Sequence, residues 1–389
     1  MRLFLLPALL LLSGCFGPIS LHQAVLGYDR TVSQIEQEML LLNIARLRHR
    51  MNLHFTVTSA IAATFDYRSN VVVGGVYGGP PGFFSPSISF GATAAENPTL
   101  SIVPIQGREF TERVLTPVHE AKFEFLVFQG SAIDMVMRLM ADGIEVQRPD
   151  GSFERFILNW PSRRAEYEEF RRYALHLAWL NANRQLFVGR LTFTETAQTT
   201  LKGPPDAEEV RNAMEKEYRW RSLPDAGVYE LGRRVTGRVV ITNYDPRTLT
   251  DAQRAALNAR AANNPVSFVL IDIRPEHPGG EWPLFGALKL RSFNLMLDFV
   301  AGGIDRAQEY NVAKDPRTGG EEYNPARALA IQVSDREPPG EAPSTRFAGQ
   351  YYTVADTAWD RMAFRLLYQG FQMTVTDVSQ VGVPITIGK

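Results

Sequence analysis

The chain has 389 residues, of which 45% are hydrophobic and 21% are charged, and its formal net charge is −1. This composition supplies a large core and shows neither a basic footprint nor an acidic tail, so the sequence predicts no nucleic-acid partner. Beyond the N-terminus no run of about eighteen apolar residues occurs, which excludes a membrane-spanning helix from the rest of the chain.

The first residues have the pattern of an export signal. Arg2 supplies a positive charge, and Leu3 to Leu12 form an apolar run that only Pro7 interrupts. A run of about ten residues is too short for a membrane-spanning helix, which needs roughly twenty, and is typical of the hydrophobic region of a signal peptide. Residues 1–14 are therefore predicted to be removed on export.

The apolar run ends in Leu12-Ser13-Gly14-Cys15, which resembles the lipobox of bacterial lipoproteins. The resemblance implies that the signal is cut before Cys15, that the Cys15 thiol carries diacylglycerol, and that the new amine receives a further acyl chain such as palmitate. Leu12, Ser13 and Gly14 would then serve signal recognition. Cys15 is the only cysteine in the chain, and an ordinary signal peptide with a chance cysteine is the alternative.

Phe16, rather than an aspartate, follows the cysteine. By resemblance to proteobacterial lipoproteins, this residue favours sorting to the outer membrane, and we expect the periplasmic face. Several acyl chains make a firm anchor, because one chain alone binds a membrane only marginally. We expect the membrane to be contacted through this lipid, envelope proteins or further copies of the chain to be partners, and no cofactor to be needed.

The mature chain is expected to be an α+β fold of mixed helices and antiparallel strands. Its predicted organisation is a signal peptide at 1–14, a lipidated tether at 15–30, an N-terminal α/β unit at 31–195, and a C-terminal α/β unit at 196–389 that contains an exposed loop at 314–346. The loop is predicted from its richness in proline, glycine and charge.

A helix from Thr31 to Arg50 should precede a long amphipathic β-hairpin at 53–95. Apolar and polar residues alternate from Leu53 to Tyr67, and no residue from 69 to 95 is charged. Two such strands are what a transmembrane hairpin requires, and a ring of subunits that each lend one hairpin would form a pore. The favoured interpretation is a hairpin folded over the soluble core or paired with a partner.

Apolar runs and helical periodicity predict the other elements. Thr250 and Gln253 form a capping-box pattern at the start of one helix. The predicted helices are 107–116, 131–141, 162–183, 204–220 and 250–263. The predicted strands are 123–128, 186–193, 266–273 and 371–378, and residues 228–244 are predicted to be a pair of strands around Gly232.

A weak internal repeat relates 133–144 to 293–304, with a looser third copy at 362–371. Each copy is an apolar helix that a glycine would stop, followed by a strand-like segment. This pattern indicates repeated small α/β modules, although helix termination alone also explains much of it.

Three segments resemble uncharacterised lipoproteins of Gram-negative bacteria. They are EMLLLNIARLR at 38–48, ENPT at 96–99 and QYYTV at 350–354. The resemblance implies a location in the cell envelope and no particular activity.

The sequence contains no recognisable catalytic motif. The zinc pattern HExxH, the nucleophile pattern GxSxG and the Lys-Ser/Thr of a phosphate loop are all missing. Acidic clusters at 166–169 and 208–209 lie near predicted helix starts, where the helix dipole favours them. The histidines are His22, His49, His54, His119, His176 and His277. We therefore predict no catalytic, cofactor-binding or metal-binding residue. The protein is predicted to be a structural or assembly component of an envelope complex. An oligomeric export pore is the alternative, and an envelope hydrolase is least favoured.

Overall fold

The computed structural model describes residues 16–77, 84–223, 227–320, 323–340 and 342–375. It confirms an α+β fold. The helices are α1 Phe16–Arg48, α2 Gly107–Phe110, α3 Glu120–Phe128, α4 Ile133–Met140, α5 Arg164–Ala182, α6 Ala207–Glu215, α7 Asp251–Ala262, α8 Phe293–Asp305 and α9 Ala358–Val375. The strands are β1 Thr56–Tyr77, β2 Phe84–Pro104, β3 Ala141–Gln147, β4 Phe153–Leu158, β5 Phe187–Lys202, β6 Arg219–Ser222, β7 Val228–Thr242, β8 Phe268–Ile273, β9 Leu284–Leu290, β10 Ile331–Ser334, β11 Ser344–Phe347 and β12 Gln350–Val354.

The described residues form two compact units. The smaller, at 54–106, consists of β1 and β2, which pair antiparallel from Thr56↔Pro104 to Tyr77↔Phe84. The pairing runs without a break through residues 96–99. Most side chains of the segment 53–95 are not among those that the structure describes. Its amphipathic character therefore stays a prediction.

The larger unit, at 16–53 and 107–375, contains a seven-stranded sheet. The strand order is β4-β3-β9-β8-β7-β5, and β6 also pairs with β7. The sheet is mixed rather than purely antiparallel, because β7 and β8 are parallel. The helix α7 lies between these two strands in the chain, and such a crossover is what a parallel neighbour requires.

The domain boundary predicted at 195–196 falls inside β5, which pairs with β7 along most of its length. The sheet also joins β3 and β4 from the first predicted unit to β9 from the second. The predicted division into 31–195 and 196–389 stays a prediction.

The first described helix starts earlier than the sequence predicted. It begins at Phe16 and not at Thr31, so residues 16–30 of the predicted tether are helical. Pro18 does not prevent this, since proline is tolerated in the first turn of a helix. Leu40, Leu41 and Ile44 in the second half of α1 are fully buried.

Two predicted strands are helices. Residues 123–128 belong to α3, and residues 371–375 belong to α9. Residues 123–128 are a short and mostly apolar run, whose periodicity does not distinguish a buried strand from a buried helix. Residues 371–375 alternate apolar and polar side chains, yet they continue the helix α9. Residues 376–389 lie outside the described residues.

The structure does not support the repeated modules. After α4 the chain enters β3 at Ala141, whereas α8 continues through the corresponding alanine and glycines to Asp305. The third copy, 362–371, lies within α9. The predicted loop 314–346 contains β10 and the start of β11, which pair with β12 in a separate three-stranded sheet.

Candidate functional site

The predicted lipidation site has no structural description. Leu12, Ser13, Gly14 and Cys15 lie outside the described residues, and Phe16 is the first residue of α1. No helix in the described part of the chain is long and apolar enough to span a membrane.

One depression of the surface lies beside β5, and we call it the β5 groove. It has a volume of about 610 Å³, and its apolar wall includes Val127, Phe128, Leu186 and Phe187. Phe128 is 68% exposed. The strand β5 ends the sheet order, so one of its edges faces away from β7.

The polar walls of the β5 groove are paired internally. Glu124 accepts hydrogen bonds from the Arg190 backbone N–H at 3.0 Å and from its Nε at 2.8 Å. Arg247 donates to Asp245 at 2.7 Å, and this hydrogen bond lowers the pKa of the Asp245 carboxyl. Because these charges neutralise each other, the groove is better suited to contact with another molecule than to acid–base chemistry.

A second polar group lies where the parallel strands β7 and β8 end. The carboxylate of Asp272 is buried and accepts from Tyr244 Oη at 2.5 Å, Arg274 Nε at 2.8 Å and Arg260 Nη1 at 3.1 Å. Burial raises the pKa of the Tyr244 hydroxyl, and its hydrogen bond to Asp272 adds to the shift. We call these four residues the Asp272 cluster. The carboxyl ends of parallel strands are where ligands bind in open α/β sheets.

A third group is fully enclosed, and we call it the buried arginine cluster: Asp134, Arg138, Tyr167, Arg171 and Glu309. Arg138 donates to Glu309 at 2.7 Å, and Tyr167 Oη donates to the same carboxylate oxygen at 2.8 Å. Arg171 pairs with Asp134. Burial disfavours the charged form of Arg138, but the carboxylates of Glu309 and Asp134 outweigh it, and the pKa of Arg138 is raised.

The buried arginine cluster fastens the segment after α8 to the fold. Arg138 donates to the carbonyls of Pro325 at 2.9 Å and Ala326 at 2.8 Å, and the Ala328 N–H donates to Glu309 at 2.6 Å. These contacts give the Arg138 guanidinium and the Glu309 carboxylate their partners and hold the segment against α4 and α5. The buried arginine cluster therefore has a structural role, and a substrate cannot enter it.

Arg291 is buried without a carboxylate against its guanidinium. It donates to the carbonyls of Arg138 at 2.9 Å and Asn159 at 2.5 Å, and it lies over the Phe299 ring at 4.0 Å. Burial lowers the pKa of Arg291 to about 10. Carbonyl oxygens and an aromatic face stabilise the cation where water is excluded.

The histidines do not assemble a site. Among the described residues no three His, Cys, Asp or Glu side chains lie close enough to hold a metal ion. His176 is buried, with its ring nitrogens 3.1 Å from Thr318 Oγ1 and 2.9 Å from the Gly279 carbonyl oxygen. His119 caps α3 by accepting a hydrogen bond from the Ala121 N–H, and the His277 ring lies tilted against the Tyr244 ring.

Sequence reasoning missed both charge clusters. The one local signal was Asp134 and Arg138, an i,i+4 pair inside an otherwise apolar helix. The Asp272 cluster had a weaker signal, an aspartate within the apolar strand 266–273.

No family model matches the chain, and neither the curated proteins nor the solved structures contain a significant match to it.

Proposed function

We propose that the protein is a lipid-anchored lipoprotein of the outer membrane, facing the periplasm, and that it is a non-enzymatic structural or assembly component of an envelope complex. The observation that carries this proposal is the lipobox Leu12-Ser13-Gly14-Cys15 after an apolar run of signal-peptide length. In this proposal the protein is attached to the membrane by its lipid and does not span the membrane.

The geometry of α1 supports an anchored body. The described helix Phe16–Arg48 has 33 residues, which corresponds to a length of about 50 Å. Its first half has exposed residues such as Val25 and Leu26, while Leu40 and Ile44 are buried in the larger unit. A lipid on Cys15 would thus be joined to the folded body by a helix.

Exposed aromatic side chains support an assembly role. Phe125 is 48% exposed and Phe128 is 68% exposed, and both belong to α3. Exposed apolar groups that lie together mark interaction surfaces more often than isolated ones do.

Acyl labelling of cells that produce the full chain tests the anchor. Wild-type protein should incorporate labelled palmitate and fractionate with the outer membrane, and Cys15→Ser should do neither. The matched control, Cys15→Ser with Ser20→Cys, restores a thiol outside the lipobox and should remain unlabelled. Labelling of Cys15→Ser would refute the proposal.

The second candidate is an oligomeric pore or export lipoprotein that uses the segment 53–95 as a membrane element. The register of β1 and β2 favours it: Ser69–Tyr77 pairs with 84–92, nine residues a strand, and neither segment is charged. A transmembrane strand needs about 9–11 residues. Charged Asp66, Arg68 and Glu96 lie on the other side of this boundary. In this hypothesis the amphipathic pattern of the hairpin faces lipid on one side.

A charge placed on either side of this boundary tests the pore hypothesis. Val72→Lys lies in the uncharged part and should abolish detergent-stable rings and channel conductance. Thr64→Lys lies in the charged part and should leave both unchanged. A detergent-extracted, acylated protein that is a monomer without conductance would exclude the pore and leave the lipid anchor untouched.

A further inference from the structure

We propose that α1 pairs with the α1 helix of a second copy of this chain, side by side and in the same direction, as a coiled coil. The inference deepens the proposed function, because it names the surface and the partner of the assembly. The surface consists of Val25, Tyr28, Val32, Ile35 and Met39, and we call it the α1 seam.

The residues of the α1 seam are separated by three and four positions in alternation. In the sequence the same spacing continues to Leu21 before the seam and to Leu42 after it. A repeat of 3.5 residues is the pattern of a coiled coil, in which the a and d positions of each heptad contact the partner helix. Because an α-helix has 3.6 residues per turn, the two helices wind slowly around each other to keep such a seam in contact.

The α1 seam lies on the side of the helix that faces away from the core. Ile35 precedes Ile44 by nine residues, which is two and a half turns, so the two side chains point in opposite directions. Val32 and Leu41 have the same separation. Ile44 and Leu41 are fully buried, whereas Ile35 is 45% exposed. The helix therefore has one apolar face for the core and a second one that the core does not use.

The part of α1 around Val25 needs packing that the described fold does not provide. All described side chains at 25–31 are exposed except that of Tyr28, which is half-buried, and Val25 itself is 55% exposed. Gly27 lies in this stretch and weakens a helix, since glycine loses more conformational freedom than other residues. Most helical stability in proteins comes from packing of an apolar face, so a neighbouring helix is expected here.

The residue types and charges agree with two copies in parallel. Val25 and Val32 take the a positions, where β-branched residues favour two-stranded coils. In a parallel pair each e position faces a g position of the partner helix, so Glu36 would face Thr31, and Asp29 would face an alanine at position 24. In an antiparallel pair the e positions face each other, and Asp29 and Glu36 would then repel their counterparts.

One flank of the α1 seam is already fixed by the fold. Glu36 accepts a hydrogen bond from Gln372 Nε2 at 2.9 Å, so α9 lies beside the seam. Ile35 remains accessible next to this contact. The proposed lipid on Cys15 would also hold the first turns of all copies at one membrane surface, which permits only the parallel direction. This last step rests on the proposed function, and the spacing and charges of the seam do not.

Disulfide cross-linking of the full, detergent-extracted, acylated protein tests the pair, because Cys15 is the only native cysteine. Ile35→Cys and Val25→Cys, each alone, should give disulfide-linked dimers on mild oxidation. Both positions can face their own copy only in a parallel, in-register pair. Gln34→Cys is the matched control, because this exposed neighbour of Ile35 lies off the seam. Equal cross-linking of Gln34→Cys, or a link from position 35 to a different protein, would overturn the proposal.

Light scattering of the same preparation measures the association without a cross-link. The wild-type protein should have at least twice the mass of one chain. Ile35→Lys should raise the dissociation constant about tenfold or more, because each pair would then bury two charges in an apolar seam. Gln34→Lys adds the same charge off the seam and should leave the mass unchanged. A wild-type monomer at micromolar concentration would overturn the proposal.

A double variant separates this inference from the lipid anchor. Cys15→Ser with Ile35→Cys cannot be acylated at position 15, yet it should still form disulfide-linked dimers at sufficient protein concentration. Dimers without palmitate labelling of the wild type would refute the anchor alone. Palmitate labelling without dimers of Ile35→Cys would refute the coiled coil alone.

Discussion

The interior charges of this protein are paired over long distances in the chain. Glu309 lies 171 residues from Arg138 and 142 residues from Tyr167. Sequence periodicity reports on neighbours within a turn or two of helix, so it cannot reveal such partners. The pattern around Cys15, by contrast, is contiguous and therefore visible in the sequence, and the lipidation of Cys15 stays a prediction. At the scale of the residue, the buried arginine cluster could not be predicted from the sequence.

Removal of Arg138 should destabilise the fold strongly. Arg138→Met leaves the carboxylate of Glu309 buried without its cation, at a cost of about 3–5 kcal/mol in the free energy of unfolding. Urea denaturation measures this cost. Arg155→Met, which breaks the half-exposed pairs with Glu154 and Glu169, should cost about 1 kcal/mol or less. Adding Glu309→Gln to Arg138→Met removes the unpaired carboxylate and should recover part of the lost stability. If Arg138→Met and Arg155→Met lowered the free energy of unfolding equally, the structural role of the buried arginine cluster would be contradicted.

His176 should make stability depend on pH. Burial lowers the pKa of its imidazole below the ordinary 6.5, so the unfolded chain binds a proton at a higher pH than the folded one. The free energy of unfolding should therefore have its full value above about pH 7.5. It should fall as the pH drops through 6.5 towards the lowered pKa of His176 in the folded protein. The comparison of urea midpoints at pH 7.5 and 5.5 measures this fall.

His176→Gln removes the titrating group and should reduce that loss on acidification. The matched control is His22→Gln, which replaces an exposed histidine of α1 and should retain it. If the wild type, His176→Gln and His22→Gln all lost the same stability between pH 7.5 and 5.5, the loss would come from groups other than His176.

At the scale of the element, clear periodicity gave correct elements. The helix predicted at 162–183 is α5 at 164–182, and the capping box of Thr250 with Gln253 opens α7 as predicted. The errors at 123–128 and 371–375 concern short segments, whose conformation is decided by what they pack against. In α3, Phe123 and Leu126 are buried three residues apart, which is a helical spacing.

The close packing of β3 against β9 depends on a glycine. A Cβ on Gly286 would meet the carbonyl oxygen of Glu145 well inside van der Waals contact, so Gly286→Ala must separate two central strands and should cost about 3 kcal/mol. Thermal unfolding measures the effect. Gly189→Ala in β5 is the matched control, because its Cβ would lie 3.7 Å from the Phe128 ring, an ordinary contact. A melting temperature that falls equally in both variants would show that the close approach is not what matters.

At the scale of the whole molecule, the sheet order could not be predicted from the sequence. The sequence contains both helical and strand patterns, and the α+β class predicted from them is confirmed. The mixed sheet joins β3 to β9 across more than a hundred residues, and no local pattern encodes that pairing. The sequence predicted a β-hairpin at 53–95, but no pattern indicated that the segments before and after it, 16–53 and 107–375, belong to one compact unit.

The larger unit should fold without the β1–β2 hairpin, because it contains the entire seven-stranded sheet and the helices that cover it. The hairpin can be excised cleanly, since its ends are neighbours: Thr56 pairs with Pro104, and the Ile105 N–H donates to the Phe55 carbonyl at 3.0 Å. Replacing 56–104 by Asn-Gly, a tight-turn pair, closes this junction.

The excised protein should melt within about 2 °C of the full chain, a difference that corresponds to less than about 1 kcal/mol for a body of this size. It should still incorporate labelled palmitate at Cys15, because the lipobox is intact. If the hairpin is a membrane element, the excised chain with Cys15→Ser should be released from membranes by high salt, whereas Cys15→Ser alone should still require detergent. Cooperative unfolding lost on excision would show that the two units depend on each other.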